Sequence, residues 1–405
     1  MTQSVPLGTG SKPHRPVKRR NLAIVTLCLA SLAVGIAWGI LSVQYPMIPT
    51  PISVFSRPFG GRRQVNVLLL GVDNVKRTGG LSDTIIVVSL DFQNDRIAAI
   101  SIPRDFRVEI PGHGTNKINA AYSLGGLDLS IETVERFLQT TGRGPNRRID
   151  HYMACSFEGF KRIVDAMGGV DIDVEKRMHY RDRSQGLYIN LRPGRQRLKG
   201  EQALGYVRFR HTDSDLRRIA RQQKFLRETA RQALQPARIA RLPAVMAAVL
   251  RNVDTDMNLQ DVRGMRELVE KVGADNVEMV QLPGVPRMDN GVSYLAPHWP
   301  AVSRLVAYAV DNQRPRVEVL NGTSEEGLGR RCADRLLASG YEVTIVANAT
   351  YMHDSSRVID HVGWPKQAQR IAKLLNCGRV STDGKPSRWA DITVIVGRDY
   401  AAVAQ

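Results

Sequence analysis

The chain has 405 residues, 43% of them hydrophobic and 24% charged, with 57 Lys and Arg against 39 Asp and Glu and a formal net charge of +18. This composition excludes a disordered or fibrous chain, and the length allows two globular units. The positive excess points to anionic partners such as phosphates, acidic lipid headgroups or an anionic wall polymer.

Leu22 to Val43 is apolar without a single charge. At about 1.5 Å per residue it can cross a hydrocarbon core of roughly 30 Å, so residues 21–43 are predicted to be one transmembrane helix. Lys12, Arg15, Lys18, Arg19 and Arg20 precede it, and no acidic residue occurs before Asp73. The positive-inside rule therefore puts the basic tail 1–20 in the cytoplasm and everything after Val43 outside the cell membrane. A cleaved signal peptide is the rival reading, and either way the bulk is exported. That exported part keeps 52 Lys and Arg against 39 acidic residues. Nucleic acid, the partner a basic chain ordinarily suggests, is excluded by that location. The GTGSK run in the tail lacks the spacing of a phosphate loop and follows no strand.

Residues 44–63, with Pro46, Pro49, Pro51, Pro58, Gly60 and Gly61, form an extended linker. The runs VNVLLLGVD, DTIIVVSLD and RIAAISIPRD are apolar on both faces, which suits central strands of a sheet covered by helices. Helical patterns follow at Leu129 to Leu138, Phe157 to Met167 and Gly200 to Leu204, and Gly168 and Gly169 mark a turn needing positive φ. Residues 64–310 are thus expected to be an α/β, helix-sheet-helix sandwich domain.

YVRFRHTDSDLRRIARQQKF, residues 206–225, is a basic segment whose arginines can converge on one small anion. With Tyr206 to Arg210 as a strand, Arg208 and Arg210 project from one face. Asp213 or Ser214 caps a helix from about Asp215 to Leu234, stopped by Pro236. On it Leu216, Ile219, Gln223, Leu226 and Ala230 face the core, and Arg217, Lys224, Glu228 and Arg231 face solvent. Asp215, Arg218 and Gln222 lie on the flank between them, and Arg221 lies nearer the solvent side. A salt-bridged surface helix is the competing reading.

Residues 311–315 are a short polar linker. From Arg316 to about residue 400 the pattern restarts as strand (VEVLNGT), helix (Leu328 to Ala338), strand (YEVTIVA), helix (Lys366 to Leu375) and strand (ITVIVG), a small second α/β domain. Of four cysteines, Cys28 is in the span and Cys155 stands alone. Cys332 and Cys377 are expected to form a disulfide in an oxidising compartment, with two buried thiols as the alternative. No zinc-type spacing is present.

In order, the motifs NVLLLGVD, LSDTIIVVSLD, SIPRD, KINAAY followed by GG, FEGFKRIVDAMGGVDIDV, LKGEQALGYVRFR and DSDLRRIARQQ resemble the LytR-CpsA-Psr family over roughly Val65 to Val310. Members are membrane-anchored enzymes that transfer glycopolymers from polyprenyl pyrophosphate carriers to bacterial cell walls. VEVLNGTSEEGLG looks like the accessory C-terminal domain of such enzymes.

The resemblance implies that Arg104, Arg208, Arg210 and Arg218 bind the pyrophosphate, with Lys117 and Gln222 as further contacts. It implies that Asp73 and Asp83 hold Mg²⁺ or Mn²⁺ against it, and that Asp215 lies close to the reacting phosphate. This agrees with elementary chemistry, since arginine forks grip phosphate and hard carboxylate oxygens suit Mg²⁺. The expected catalytic set is Asp83, Arg104, Arg210, Asp215 and Arg218. Structural alternatives are a turn cap for Asp73, an ion pair with a nearby Arg for Asp83, and a local Arg104–Asp105 pair. Where the family commonly carries an arginine two positions before the LSDT aspartate, this chain has Leu81, with Arg77 a possible substitute.

The implied reaction is attack by a hydroxyl of peptidoglycan, the 6-OH of an N-acetylmuramic acid residue, on the sugar-linked phosphorus of a lipid-linked glycan. A phosphodiester forms and polyprenyl phosphate leaves, with Asp215 or Asp83 open as the base. The Arg- and Ala-rich, Lys-poor composition suggests an actinobacterial source and arabinogalactan as the polymer. A polyprenyl-pyrophosphate hydrolase and a noncatalytic wall-binding protein are the alternatives; a membrane-tethered regulator of transcription would need its basic domain in the cytoplasm, which the charge asymmetry around the span opposes.

Overall fold

The computed structural model describes residues 58–72, 80–142, 144, 147–182, 187–209, 221, 224–225, 228–229, 231–232, 241–273, 276–385, 387 and 389–401. The expected span at 21–43 lies outside them, and among the described residues no helix is long and apolar enough to cross a membrane.

The elements run β1 (Gln64–Val72), β2 (Ser82–Asp91), β3 (Arg96–Ile102), β4 (Arg107–Ile110), β5 (Gly114–Lys117), α1 (Ala120–Thr140), β6 (His151–Ser156) and α2 (Phe157–Ala166). Then come β7 (Val170–Val174), β8 (Met178–Asp182), β9 (Leu187–Leu191), β10 (Gly194–Leu198), α3 (Gly200–Arg208), α4 (Leu242–Asn252), β11 (Val253–Thr255) and α5 (Leu259–Val272). The first domain closes with β12 (Glu278–Gln281), the hairpin β13 (Gly284–Asp289) and β14 (Val292–Pro297), and α6 (Trp299–Asp311).

Six strands form the main sheet in the order β11-β6-β1-β2-β3-β12, with β1, β2 and β3 antiparallel and β6 parallel to β1. All ten residues of β2 are buried, as a strand apolar on both faces requires. Leu68, Leu70, Ile85, Val87 and Ile100 pack under Val134 and Phe137 of α1 and Val302 and Leu305 of α6. Val67, Leu69, Ile86 and Val88 pack on the other side with Met265 and Leu268 of α5. This is the expected helix-sheet-helix sandwich. A second core gathers α2, α3, β7 and β10 around Phe160 and Tyr206. Gly168 and Gly169 both adopt positive φ, as their turn demands.

Two expectations about residues 206–232 are corrected. Tyr206, Val207 and Arg208 end helix α3 and form no strand, because Gly200 to Val207 bury a continuous helical stripe; the chain becomes extended only at Phe209. Arg221, expected nearer the solvent side, is buried, as are Phe225, Thr229 and Gln232 among the described residues, while Arg231 is exposed as expected. Phe225 packs on Phe160 and Tyr206, a tertiary contact that local periodicity does not contain. The expected core residues Leu216, Ile219, Gln223, Leu226 and Ala230 lie outside the described residues.

The C-terminal unit consists of β15 (Arg316–Asn321), α7 (Leu328–Ala338), β16 (Glu342–Asn348), β17 (Arg357–Asp360), α8 (Pro365–Leu374), β18 (Arg379–Thr382) and β19 (Ile392–Val396), with sheet order β16-β15-β19-β17-β18. It is seated on the first domain. Trp364 is buried with its ring 4.4 Å from that of Tyr308 on α6, and Gln367 Nε2 donates to Glu278 Oε1 on β12 at 2.6 Å. Asp391 accepts from Arg304 of α6 and Arg316 of β15 at 2.8 and 2.9 Å.

The expected Cys332–Cys377 disulfide is not formed. Both are buried free thiols directed at different neighbours, Cys377 Sγ toward Ser356 O at 2.9 Å and Cys332 toward the Tyr400 hydroxyl. Burial pushes the Cys332 thiol up to about 12.

Candidate functional site

The site is built where one end of the main sheet collects chain ends: the exit of β1, the entrance of β2, the exit of β3 and the exit of β6. Val72 pairs with Ser82 on one side and Ser156 on the other, while Ile102 pairs with Ile85. Gly71 pairs with Thr84 and Val72 with Ser82, so Asp83 is skipped in the ladder. It is the extra residue of a β-bulge, a device that re-aims a side chain out of strict alternation.

Asp83 is aimed at Arg104. Its Oδ1 accepts from Arg104 Nη1 at 2.8 Å, and both side chains are buried. Pro103 turns the chain out of β3, and a Phe106 N to Pro103 O bond of 3.0 Å closes that turn around Arg104. Arg104 O accepts from Asn119 N, and Ile118 N donates to Phe106 O, so the turn is fastened to the segment after β5. Arg104 Nε also reaches Asp105 Oδ2 at 3.4 Å, and Asp105 Oδ1 accepts from Lys117 Nζ at 2.8 Å. Asp83, Arg104, Asp105 and Lys117 thus form one chain of alternating charge running from a buried end to a half-exposed one. Both structural alternatives for Asp83 and Arg104 are realised as contacts within that chain.

A buried ion pair does little for net stability, because desolvating two charges offsets their attraction. Its value here is order: the guanidinium is fixed before any anion arrives, with its other donors in place. Lys117 Nζ lies 5.9 Å from the ring of Tyr294 of β14, and Leu295 N donates to Asp105 O at 2.9 Å.

Arg208 sits at the same end of the sheet by a different route. It closes α3, and its guanidinium lies 4.8 Å over the ring of Phe157, the residue after β6. Arg221, expected near solvent, is buried against α3's end. Its Nη1 donates to Phe209 O at 2.8 Å, its Nε donates to Glu175 at 3.3 Å, and its guanidinium covers the rings of Tyr206 and Phe209. It fixes the chain where Arg208 leads onward. Tyr206 donates to Glu175 at 3.0 Å, and burial beside that carboxylate raises its phenol well above the ordinary tyrosine range. Asp73, Arg77, Arg210, Asp215, Arg218 and Gln222 lie outside the described residues. The structure therefore brings together Asp83, Arg104 and Lys117, and places Arg208 at the same end of the sheet.

Two hydroxyls were not singled out by sequence reasoning. Ser82 Oγ and Thr84 Oγ1, flanking Asp83, are buried without a hydrogen-bond partner among the described residues. A buried unpaired hydroxyl is unfavourable unless a ligand completes it. With the Asp83 carboxylate they are three oxygen donors adjacent in sequence, the ligand type a hard divalent cation takes. Among the described residues there is no group of three His, Cys, Asp or Glu side chains placed to hold a metal, so the fit rests on this mixed set. Asp105 was also passed over as a mere local pair, and its second contact, to Lys117, is visible only once β5 is folded back.

Comparison with known proteins agrees with this architecture. Over 239 residues the chain is 37% identical to the polyisoprenyl-teichoic acid–peptidoglycan teichoic acid transferase TagU of Halalkalibacterium halodurans, covering 57% of this chain and 73% of that one. It is 33% identical over 206 residues to the regulatory protein MsrR of Staphylococcus aureus, covering 50% of this chain and 59% of that protein. The crystal structure of Bacillus subtilis TagV superposes with a TM-score of 0.50 at 29% identity, over 62% of this chain and 98% of the other. Residues 314–400 match the model of the LytR cell envelope-related transcriptional attenuator. Residues 51–308, a range that includes Asp83, Arg104 and Lys117 of this chain, match the LytR_cpsA_psr model, and the chain belongs to the LytR_cpsA_psr family.

Proposed function

We propose that this protein is a membrane-anchored phosphotransferase that moves a glycopolymer from a polyprenyl pyrophosphate carrier onto peptidoglycan. The observation that carries the reading is the buried Arg104, held by Asp83 through the bulge of β2 and continued by Asp105 to Lys117. A buried cation held in a fixed orientation is matched to an anion whose charge grows during reaction, as it does on a leaving phosphate. The transferase name carried by the TagU relative supports the same chemistry.

In the proposed reaction a wall hydroxyl oxygen forms a bond to the sugar-linked phosphorus, and the bond from that phosphorus to the bridging oxygen breaks. The pair of electrons leaves with polyprenyl phosphate, and the hydroxyl proton passes to a carboxylate or to water. Arg104 offsets charge on the nonbridging oxygens with the donors not engaged by Asp83, while Lys117 neutralises the outer phosphate. Asp105 contacts both cations and keeps them together. Asp83, Ser82 and Thr84 would hold a divalent cation, with Asp73 following β1 as a further carboxylate by resemblance. Such an ion supplies charge neutralisation on the diphosphate. The expected span would hold the domain at the outer face of the membrane, where a lipid carrier presents its headgroup.

The test is incubation of the protein with Mg²⁺, a lipid-pyrophosphate glycan and peptidoglycan, followed by product analysis. A covalent phosphodiester between glycan and wall is expected. Release of phosphoglycan to water alone would instead identify a hydrolase, and no consumption of the carrier in the presence of Mg²⁺ would refute the reading.

A further inference from the structure

The C-terminal unit meets the first domain at the strand pair that leads into the site. β12 is the edge strand of the main sheet, and β3 is its strand neighbour there. An edge strand is held to its sheet from one side and leaves its outer backbone groups without strand partners. Here α8 closes the outer side. Lys366 Nζ donates to Val277 O at 2.8 Å, and Trp364, Pro365 and Lys366 line a cleft with Met279 and Val280 of β12.

Glu278, at the start of β12, joins the elements at this end. Its buried carboxylate accepts from Arg96 of β3 at 3.3 Å, from Tyr308 of α6, and from Gln367 and Arg370 of α8. Gln367 Nε2 also reaches the Tyr308 hydroxyl, and the Arg96 guanidinium lies 4.2 Å over the Tyr308 ring. A buried carboxylate is costly to strip of any partner, so it fixes the mutual position of the elements that supply its donors.

The opposite end of the same two strands is the site. β3 runs from Arg96 to Ile102, about 20 Å at strand rise, and the turn that carries Arg104 follows it. Leu282 N, just past β12, donates to Ser101 O at 3.0 Å. The β13–β14 hairpin then returns to the turn, where Leu295 N donates to Asp105 O. Arg104 and Asp105 are thus carried on a strand pair whose far end is anchored in the C-terminal unit.

We propose that the C-terminal unit is a positioning clamp for the site: Gln367 and Arg370, acting through Glu278, hold the β3–β12 pair in the place that sets Arg104 and Asp105. Glu278, Gln367 and Arg370 are positioning residues and touch no substrate. The catalytic consequence rests on the reading of the Asp83–Arg104–Lys117 site as the one that binds the pyrophosphate.

The test compares the full-length wild type with the double variant Gln367→Ala, Arg370→Ala by deuterium exchange. In the double variant, peptides 96–106 and 278–283 should exchange about tenfold faster, while peptides 120–140 of α1 and 328–338 of α7 keep wild-type rates. Arg370→Lys alone keeps a cation beside Glu278, and its exchange should stay within about twofold of the wild type. Unchanged exchange at 96–106 in the double variant would overturn the proposal. So would an equal rise over all these peptides, which would mean a general loss of stability. On the pyrophosphate carrier, kcat of the double variant should fall about tenfold with KM within about threefold, because a displaced Arg104 loses most against charge that grows in the transition state. Wild-type kcat alongside faster exchange also overturns the proposal. If the wild type consumes no carrier, the proposed function fails, while exchange at 96–106 still decides whether the C-terminal unit sets the strand pair.

Discussion

Asp83 and Arg104, separated by 21 positions in sequence, are joined by a 2.8 Å contact because a single residue of β2 is skipped in its ladder with β1. Were the ladder regular, alternation would fix the Asp83 side chain by its strand neighbours alone. The bulge exempts it, and the antiparallel register of β2 with β3 brings the turn after Ile102 alongside.

Removing one partner of this buried pair leaves an uncompensated charge, a loss of about 3–5 kcal/mol in stability. Asp83→Ala should therefore both lower the melting temperature and reduce transfer by at least about a hundredfold. Asp83→Asn, which keeps a hydrogen-bond acceptor but not the charge, should recover only part of the stability and little of the activity. Melting curves and turnover measured on the same preparations separate the two effects; wild-type turnover in Asp83→Asn would exclude the carboxylate from the chemistry.

Lys117 and Asp105 are half-exposed, so their ion pair contributes only about 0.2–1 kcal/mol to folding. Lys117→Gln should leave stability nearly unchanged and raise KM for the pyrophosphate more than it lowers kcat. A double-mutant cycle with Asp105→Asn should show non-additivity in KM, since both act through one contact. Additive effects would mean that the pair is not part of the binding surface.

Arg221→Ala removes a buried guanidinium that donates to Phe209 O and covers two rings, and thermal melting should record a loss of about 1–3 kcal/mol. Arg221→Lys should not restore it, because lysine cannot cover the Tyr206 and Phe209 rings while donating to Phe209 O. If both variants melt like the wild type, the buried arginine is not what secures this turn of chain.

Asp391 supplies a pH dependence. Burial alone would raise its carboxyl, but hydrogen bonds from Arg304 and Arg316 outweigh burial and hold it below its ordinary 3.8. A lowered folded value means that the stabilisation is complete above the unfolded value and is lost as pH falls through the folded one. The stability difference between wild type and Asp391→Asn should be constant from about pH 7 to 5 and shrink below about pH 4. A difference independent of pH down to 3 would contradict the assignment.

Cys332 and Cys377 should react with thiol reagents only after unfolding, since burial raises both thiols. Mass spectrometry after alkylation in denaturant, without reductant, should find both modified. Finding them joined would restore the disulfide expectation.

What the sequence determined was everything carried by local pattern. Runs apolar on both faces, such as that of β2, suit central strands covered by helices, so the sandwich was legible in composition along the strand. The α7 helix was readable from Leu328 to Ala338 because its apolar stripe and flanking glycines are local. The candidate residues Asp83, Arg104 and Lys117 were readable from their motifs. Tertiary structure alone decided how they meet. The bulge at Asp83 depends on β1, the second contact of Asp105 depends on β5, and the burial of Arg221 depends on Phe225 reaching Phe160. A strand was expected at Tyr206 because alternating aromatic and basic residues satisfy a period of two. Packing of α3 against α2 and β9 instead favours the helical stripe. Periodicity fixes which side chains share a face of one element, whereas partners on other elements fix which way that face points and which charges find each other.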